Sequence, residues 1–233
     1  MRASCYISFS PTSGVVKESL LHLRRILGEP GKECHGLDLS DHRQPQAGVL
    51  TVRIQPKPAG DYPWYLKPFF RSQKRRYGQV LVPGQLWGRV PRLFMAVALL
   101  YGALDSRRSP LAPVLRSLVT VRVSQLNWCR FCVDLNSATL AQRAGGMAKV
   151  EALEHWRTSD LYSAAERAAL DYTEAMTITG QGVTDDLMAE LRCHFTEDAV
   201  IELTGLVAFQ NLSSKFNSAL DVPPQGFCRR PGA

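Results

Sequence analysis

The chain has 233 residues, of which 45% are hydrophobic and 21% charged, and its formal net charge is +7. This composition is typical of a soluble globular protein that buries a core. The longest apolar run, residues 93–104, has 12 residues, which excludes a membrane-spanning helix of about 20 residues. The first 11 residues hold no continuous apolar segment before Pro11, which argues against a secretory signal. We therefore expect a cytoplasmic protein.

The positive charge lies in the N-terminal half of the chain. Residues 1–110 contain 17 Lys or Arg and 7 Asp or Glu, whereas residues 111–233 contain 11 and 14. A basic half can indicate contact with nucleic acid or anionic lipid. Its densest cluster, residues 71–76, is accompanied by no zinc-finger pairing and no aromatic RNA-binding motif. We interpret this cluster as a solvated helix face and expect neither nucleic acid nor a membrane as a partner.

Residues 1–60 differ in pattern from the rest of the chain. Residues 7–28 fit a short strand, a turn and a helix, and residues 48–58 alternate like one short strand. The strand, turn and helix are similar to a phosphate loop but lack its glycine spacing and its Lys-Ser/Thr ending. We interpret residues 1–60 as an N-terminal extension, either disordered, loosely attached or produced by a gene start placed too far upstream.

From Tyr62 onward the signals are helical, so residues 61–233 predict one all-α domain of six to eight helices. Ser163 and Glu166 have the spacing of a capping box, and Thr184 and Thr196 are N-cap residues followed by acidic residues. Gly145 is a C-terminal stop. The predicted helices lie within residues 63–78, 90–105, 109–128, 132–146, 162–180, 184–195 and 196–220.

Among six cysteines, only Cys129 and Cys132 are closely spaced. Residues three apart on a helix share a face and are separated by a rise of about 4.5 Å, within the ~4.4–6.8 Å Cα range of a disulfide. A helix that begins near Cys129 could close and open this bond without refolding. The helix N-terminus and Arg130 favour thiolates, whereas the apolar Trp128 and Phe131 oppose them.

Three interpretations of the pair remain open from the residues alone: redox-active thiols, a metal site, or two buried core residues. A structural zinc site needs four ligands, but the sequence has no second CxxC, and His155 and His194 are isolated. We therefore expect no metal and no cofactor.

Three segments, residues 115–140, 152–176 and 195–220, resemble the carboxymuconolactone decarboxylase / AhpD-like superfamily. With the helix predicted at 91–104, the resemblance covers roughly residues 77–222. It implies an all-helical AhpD-like domain that assembles as a homo-oligomer, often a trimer or hexamer. The decarboxylase branch does not rely on a CxxC pair, so the chain is more similar to the AhpD-like branch. Proteins of that branch reduce alkyl hydroperoxides with electrons from a dithiol partner protein.

The resemblance also implies residue roles. Cys132 would attack the peroxide, and Cys129 would resolve the sulfenic acid as a disulfide. The Glu and His of the family's proton relay fall on Ser117 and Asn136, and neither can act as a general base near neutral pH. Asn136 could still donate a hydrogen bond to a thiolate or a bound oxygen, and His155 is a candidate substitute base from a separate helix.

Two functions follow. The first is an antioxidant oxidoreductase, a peroxidase or disulfide reductase that uses Cys132 and Cys129 on a hydroperoxide or disulfide substrate. The second is a non-enzymatic redox-sensing or assembly module, which the missing Glu and His favour. Decarboxylation of a lactone acid ranks last, since only the family name supports it.

Overall fold

The computed structural model of the protein describes residues 52–228. The strand, turn and helix predicted within residues 7–28 lie outside the described residues. Across residues 52–228 the secondary structure consists of α-helices and 3-10 helices without a strand. The prediction of an all-α domain is confirmed.

Nine α-helices occur within the described residues. They are α1 (Lys67–Tyr77), α2 (Val82–Gly88), α3 (Pro91–Leu104), α4 (Pro113–Leu126), α5 (Arg130–Ala144), α6 (Ala148–Glu151), α7 (Ala164–Thr177), α8 (Asp185–His194) and α9 (Glu197–Ala219). Three short 3-10 helices accompany them, at Ala59–Asp61, Trp64–Leu66 and Ala152–His155. None of the helices within residues 52–228 is long and apolar enough to cross a membrane.

The helix ends follow the predicted capping chemistry. The Ser163 hydroxyl accepts from the Glu166 N–H, and the Glu166 carboxylate accepts from the Ser163 N–H, which completes the capping box of α7. Thr184 and Thr196 cap α8 and α9 through the hydroxyl alone, which accepts the N–H of Leu187 and of Ala199, respectively. Gly145 ends α5 at a φ of 76°, a left-handed conformation that favours glycine.

Two short helices, α2 and α6, are absent from the prediction, because seven and four residues are too few to show a helical period. Two glycines allow α2 to pack closely. A Cβ at Gly84 would lie 2.8 Å from the Gln73 amide nitrogen, and one at Gly88 would lie 3.2 Å from the rings of Phe70 and Tyr62.

The strand predicted for residues 48–58 is wrong over its described part. Residues 52–58 form no strand, because Pro56 and Pro58 have no N–H to donate to a ladder. This segment is instead held to the helices: the Arg53 N–H donates to the Leu220 carbonyl at 3.0 Å, and Val52 is buried.

Helix α4 is the centre of the domain, where it packs against α5, α7 and α9. One face contributes Leu115, Val119 and Val123 to a hydrophobic cluster with α7 and α9. Another face contributes Leu118 and Val121 to a second cluster with α5 and α7. A helix that is apolar on several faces is buried in the core, which agrees with the central position of α4.

Candidate functional site

The turn between α4 and α5 positions the cysteine pair. The Cys129 N–H donates to the Ser124 carbonyl at 3.1 Å and the Trp128 N–H to the Gln125 carbonyl at 3.0 Å, which forms a Schellman motif at the end of α4. Trp128 has a φ of 54°, a left-handed conformation that costs an L-residue about 1–2 kcal/mol. The motif therefore connects α4 directly to the first residue of the site.

Cys129 is the N-cap of α5, and its sulfur accepts the N–H of Cys132 at 3.2 Å. The two residues form a disulfide with Cα atoms 5.2 Å apart, within the range that the three-residue spacing predicts. A helix thus begins immediately after Cys129, as predicted. The N–H groups of its first turn bring partial positive charge to both sulfurs.

Both cysteines are shielded from solvent, with 1% of Cys129 and 3% of Cys132 exposed. They belong to an apolar cluster with Phe131, Leu86 and Val222. A small reactant is therefore better suited to reach the sulfurs than a protein surface, unless a covering segment moves.

One such covering segment is the C-terminal part of the described chain. The Asp134 carboxylate accepts the N–H groups of Gln225, Gly226 and Cys228, each at 2.8 Å. The Phe227 ring lies 6.4 Å from that of Phe131, which is next to Cys132. Asp134 thus serves as an anchor for residues 225–228 beside the cysteine pair.

Sequence reasoning missed Asn217 of α9. Its side-chain amide donates to the Cys132 sulfur at 3.2 Å, and its Oδ1 is buried without a partner among the described residues. Asn217 is 1% exposed, and Gln210 and Ser214 are buried on the same helix. These positions, spaced by four and three residues, form a polar stripe on an otherwise apolar face. That stripe is the signal that could have found Asn217.

Asn136 does not hydrogen-bond to either sulfur. Its amide donates to the Ser124 hydroxyl at 3.0 Å, and Gln210 donates to the same oxygen at 3.2 Å. The Ser124 hydroxyl in turn donates to the Thr120 carbonyl at 2.6 Å. Ser124 is therefore the point at which α4, α5 and α9 are joined by hydrogen bonds.

Ser117 and Asn136 line the same cavity, which has a volume of about 50 Å³. The Ser117 hydroxyl accepts from Arg143 at 3.0 Å, and Arg143 donates to both oxygens of Asp105, at 2.8 and 3.0 Å. The structure thus places the two predicted relay positions together, with an arginine and its carboxylate partner beside them.

Arg130 and His155 lie elsewhere. Arg130 is exposed and pairs with Asp221 at 3.3 Å, with about half of each side chain in solvent. His155 is exposed at the end of a 3-10 helix, and its buried neighbours Leu153 and Trp156 belong to a different cluster from the cysteine pair. Neither side chain makes a hydrogen bond to a sulfur.

Side chains that could bind a metal ion are not clustered in the described part of the chain. Over residues 52–228, no group of three or more His, Cys, Asp or Glu side chains could hold an ion. His194 pairs with Glu190 at 3.1 Å on α8, and Cys193 is exposed on the same helix.

Comparisons with known proteins agree with the fold. The model of the carboxymuconolactone decarboxylase family matches residues 91–175, which include Ser117, Cys129, Cys132 and Asn136. The uncharacterized protein YnjA of Escherichia coli is 46% identical over 174 residues, which span 75% of this chain and 96% of the relative. The uncharacterized protein YdfG of Bacillus subtilis is 28% identical over 49% of this chain and 79% of its own length.

Solved structures share the fold. An uncharacterized peroxidase-related protein from Ralstonia eutropha, described as an alkylhydroperoxidase AhpD core, has a TM-score of 0.71 at 20% identity, covering 77% of this chain and 96% of that one. The debrominase Bmp8 has a TM-score of 0.67 at 24% identity, covering 77% and 94%. At these identities the similarity establishes the fold and does not establish the reaction.

Proposed function

The chain belongs to the carboxymuconolactone decarboxylase family, and on that premise we propose that it is a thiol-dependent redox enzyme that reduces hydroperoxides or disulfides. The observation that carries the proposal is the Cys129–Cys132 disulfide at the start of α5, with one N–H donor directed at each sulfur. Structural neighbours described as peroxidase-related share this fold.

In the reduced protein, the Cys132 thiolate attacks the terminal oxygen of a hydroperoxide. The S–O bond forms, the O–O bond breaks, and the alkoxide leaves and takes up a proton. Cys129 then attacks the Cys132 sulfenic acid, the S–S bond forms, and the hydroxyl leaves as water. A dithiol donor protein reduces the disulfide by exchange and completes the cycle.

Hydrogen bonding favours the thiolates that this cycle requires, whereas burial opposes them. The Cys132 N–H stabilises negative charge on Cys129, and the Asn217 amide stabilises it on Cys132. Asn217 thus supports the attacking sulfur as a neutral donor, since it cannot accept the thiol proton as a base.

General-base help contributes about 10²–10⁴-fold to a proton-transfer step. Ser117 and Asn136 cannot supply it, so we expect slower peroxide reduction than a family member with Glu and His would show. Disulfide exchange needs no general base, only a thiolate and access, so a small disulfide that reaches the buried sulfurs is the second substrate class.

A non-enzymatic redox-sensing or assembly module is the second candidate function. The burial of both sulfurs favours it, because a pair with 1% and 3% exposure is poorly placed for repeated exchange with a donor protein. Such a module would be oxidised once without turnover. Assembly as a homo-oligomer, a trimer or hexamer, remains a prediction under either function.

The test is a time-resolved thiol count by mass spectrometry after one equivalent of cumene hydroperoxide is added to the reduced full-length protein. We expect rapid loss of two thiols, mapped to a Cys129–Cys132 bond. Cys132→Ser should abolish the loss, and Cys129→Ser should leave a sulfenic acid that dimedone traps. Cys193→Ser, an exposed cysteine on α8, is the matched control and should react like the wild type.

Repeated peroxide consumption with dithiothreitol as donor would separate the enzyme from the sensor. Turnover of many equivalents supports the enzyme, and a single oxidation followed by arrest supports the sensor. Thiols at Cys129 and Cys132 that remain open to alkylation after peroxide treatment would contradict peroxide chemistry altogether.

A further inference from the structure

The cavity beside Ser117 is lined by two arginines, Arg116 and Arg143, that take no part in the thiol chemistry. We propose that it binds a small carboxylate anion, held by Arg116 and Arg143. The proposal goes beyond the redox function and does not rest on it, because none of its observations involves the cysteines.

Arg116 provides the first observation. Its side chain lines the cavity and is only 7% exposed. One terminal nitrogen donates to the Ser106 carbonyl at 2.8 Å, and the other lies 3.5 Å from Asp105. Its Nε is buried and has no acceptor among the described residues. Because buried donors in folded proteins are nearly always paired, an arginine with an unpaired Nε and a carboxylate contact as long as 3.5 Å is incompletely satisfied by the protein's own groups.

The balance of charge provides the second observation. Arg116 and Arg143 share one carboxylate, that of Asp105, and the three side chains are 7%, 22% and 20% exposed. Two guanidinium groups against one carboxylate leave one positive charge uncompensated in a shielded space. An anion with a single negative charge would neutralise it.

The phenols at the cavity do not supply that charge. Burial, with the nearby Tyr77 and Asp105, raises the pKa of Tyr101 to about 12, although 46% of the residue's surface is exposed. Burial also raises the pKa of Tyr77. Both phenols stay neutral near pH 7, and the Arg76 guanidinium above the Tyr77 ring, 5.3 Å from its centroid, adds a further cation nearby.

Size and geometry select a carboxylate. A volume of about 50 Å³ accommodates a few non-hydrogen atoms, since a single water needs about 10–15 Å³ by the same measure. A planar guanidinium pairs with the two oxygens of a carboxylate in a fork that a spherical ion cannot match. Leu104 and Phe209 line the same space and would contact a short alkyl group.

The test measures thermal unfolding of the full-length protein with sodium acetate, with acetamide as the neutral isostere and with sodium chloride at equal ionic strength. We expect acetate to raise Tm by about 3–6 °C at a concentration about tenfold above Kd. Equal stabilisation by acetamide or by chloride would overturn the carboxylate assignment.

Two variants locate the effect. Arg116→Gln should lose the acetate shift. Arg122→Gln should keep it, because Arg122 is a half-buried arginine of the same helix that pairs with Glu174 instead. Ser117→Glu places a carboxylate in the cavity beside Arg143, so it should raise Tm without ligand and remove the response to acetate. An Arg116→Gln protein that responds like the wild type, or a Ser117→Glu protein that unfolds at a lower temperature, would contradict the proposal.

The length of the ligand distinguishes two sources of the same group. A free small carboxylate predicts that stabilisation falls from acetate to hexanoate. A carboxylate at the end of a larger substrate predicts that hexanoate stabilises at least as well. Both results support a carboxylate site and identify its occupant.

Discussion

The cysteine pair and the charged interior around α4 hold their polar atoms in opposite ways. Each sulfur accepts one hydrogen bond from a neutral N–H, and its other neighbours are apolar. The carboxylates of Asp105 and Glu174 are instead held by arginines of α4 and its neighbours. Both carboxylates are therefore occupied in ion pairs, and neither is available as a base for Cys132.

Restoring the family's two relay residues near the cysteine pair should break this contrast with the largest effect. Ser117→Glu combined with Asn136→His reinstates the family's pair of relay residues in one cavity. We expect the rate of Cys132 oxidation by cumene hydroperoxide to rise by about 10²–10⁴-fold, measured by stopped-flow fluorescence. Asn136→Gln with Ser117→Glu is the control without an added imidazole, and a double variant that folds but reacts no faster would contradict the prediction.

Removing the charge from Glu174 should affect stability and leave the cysteines unchanged. Its carboxylate accepts from Arg122 at 2.7 Å, from the Trp156 indole at 2.9 Å and from Arg157 at 2.7 Å. Because Glu174→Gln leaves the half-buried Arg122 without its carboxylate partner, while Arg157 keeps Asp171, we expect the free energy of unfolding to fall by about 1–3 kcal/mol. Urea denaturation measures the change, and thiol reactivity should stay as in the wild type.

The same residue gives a pH dependence with a defined sign. Burial alone would raise the pKa of Glu174, but Arg122, Trp156 and Arg157 lower it below its ordinary value of 4.5. A group with a lowered folded pKa stabilises fully above its unfolded pKa, and the contribution is lost as pH falls through the folded value. Unfolding of the wild type should therefore become easier below about pH 4.5, and Glu174→Gln should show a weaker acid dependence. An unchanged acid dependence would show that other carboxylates dominate it.

Asn217→Leu should sharpen the contrast by removing the neutral donor at Cys132. Hydrogen bonds to charged groups contribute about 1.5–3 kcal/mol, so we expect Cys132 oxidation to slow by about 10–100-fold at pH 7. Stability should change little, because leucine also removes the unpaired Oδ1. Ser214→Ala on the same stripe is the control. A rate profile against pH that does not move would assign Asn217 a purely structural role.

Trp128→Gly tests the turn before the pair and should have the smallest effect. Glycine relieves the left-handed strain at a φ of 54°, and the lost side chain is 61% exposed. Allowing for the greater unfolded-state entropy of glycine, we expect a gain of about 0.5–1 kcal/mol. Trp128→Ala keeps the strain and is the control. Destabilisation by glycine in a thermal melt would show that packing of the indole outweighs the relief of backbone strain.

The helix caps and the start of a helix near Cys129 were predictable because they depend on neighbours in sequence. Ser163 with Glu166, Thr196 and Gly145 act within one helical turn of themselves, and each behaves as predicted. The strand predicted for residues 48–58 failed over residues 52–58, where alternation competes with two prolines. Local pattern is therefore reliable where the hydrogen bonds it predicts are also local.

In the candidate site, too, the local features were predictable and the long-range contacts were not. The spacing of Cys129 and Cys132 alone determined that a disulfide could join them at the start of a helix, since residues three apart on a helix share a face. Only the tertiary structure decided that Asn217, 85 residues from Cys132, supplies a donor to its sulfur. It likewise decided that Arg143 and Asp105 meet Ser117 at a cavity. These contacts arise because α4, α5 and α9 pack around a common core, and the order of residues in the chain does not specify which polar atoms that packing brings together.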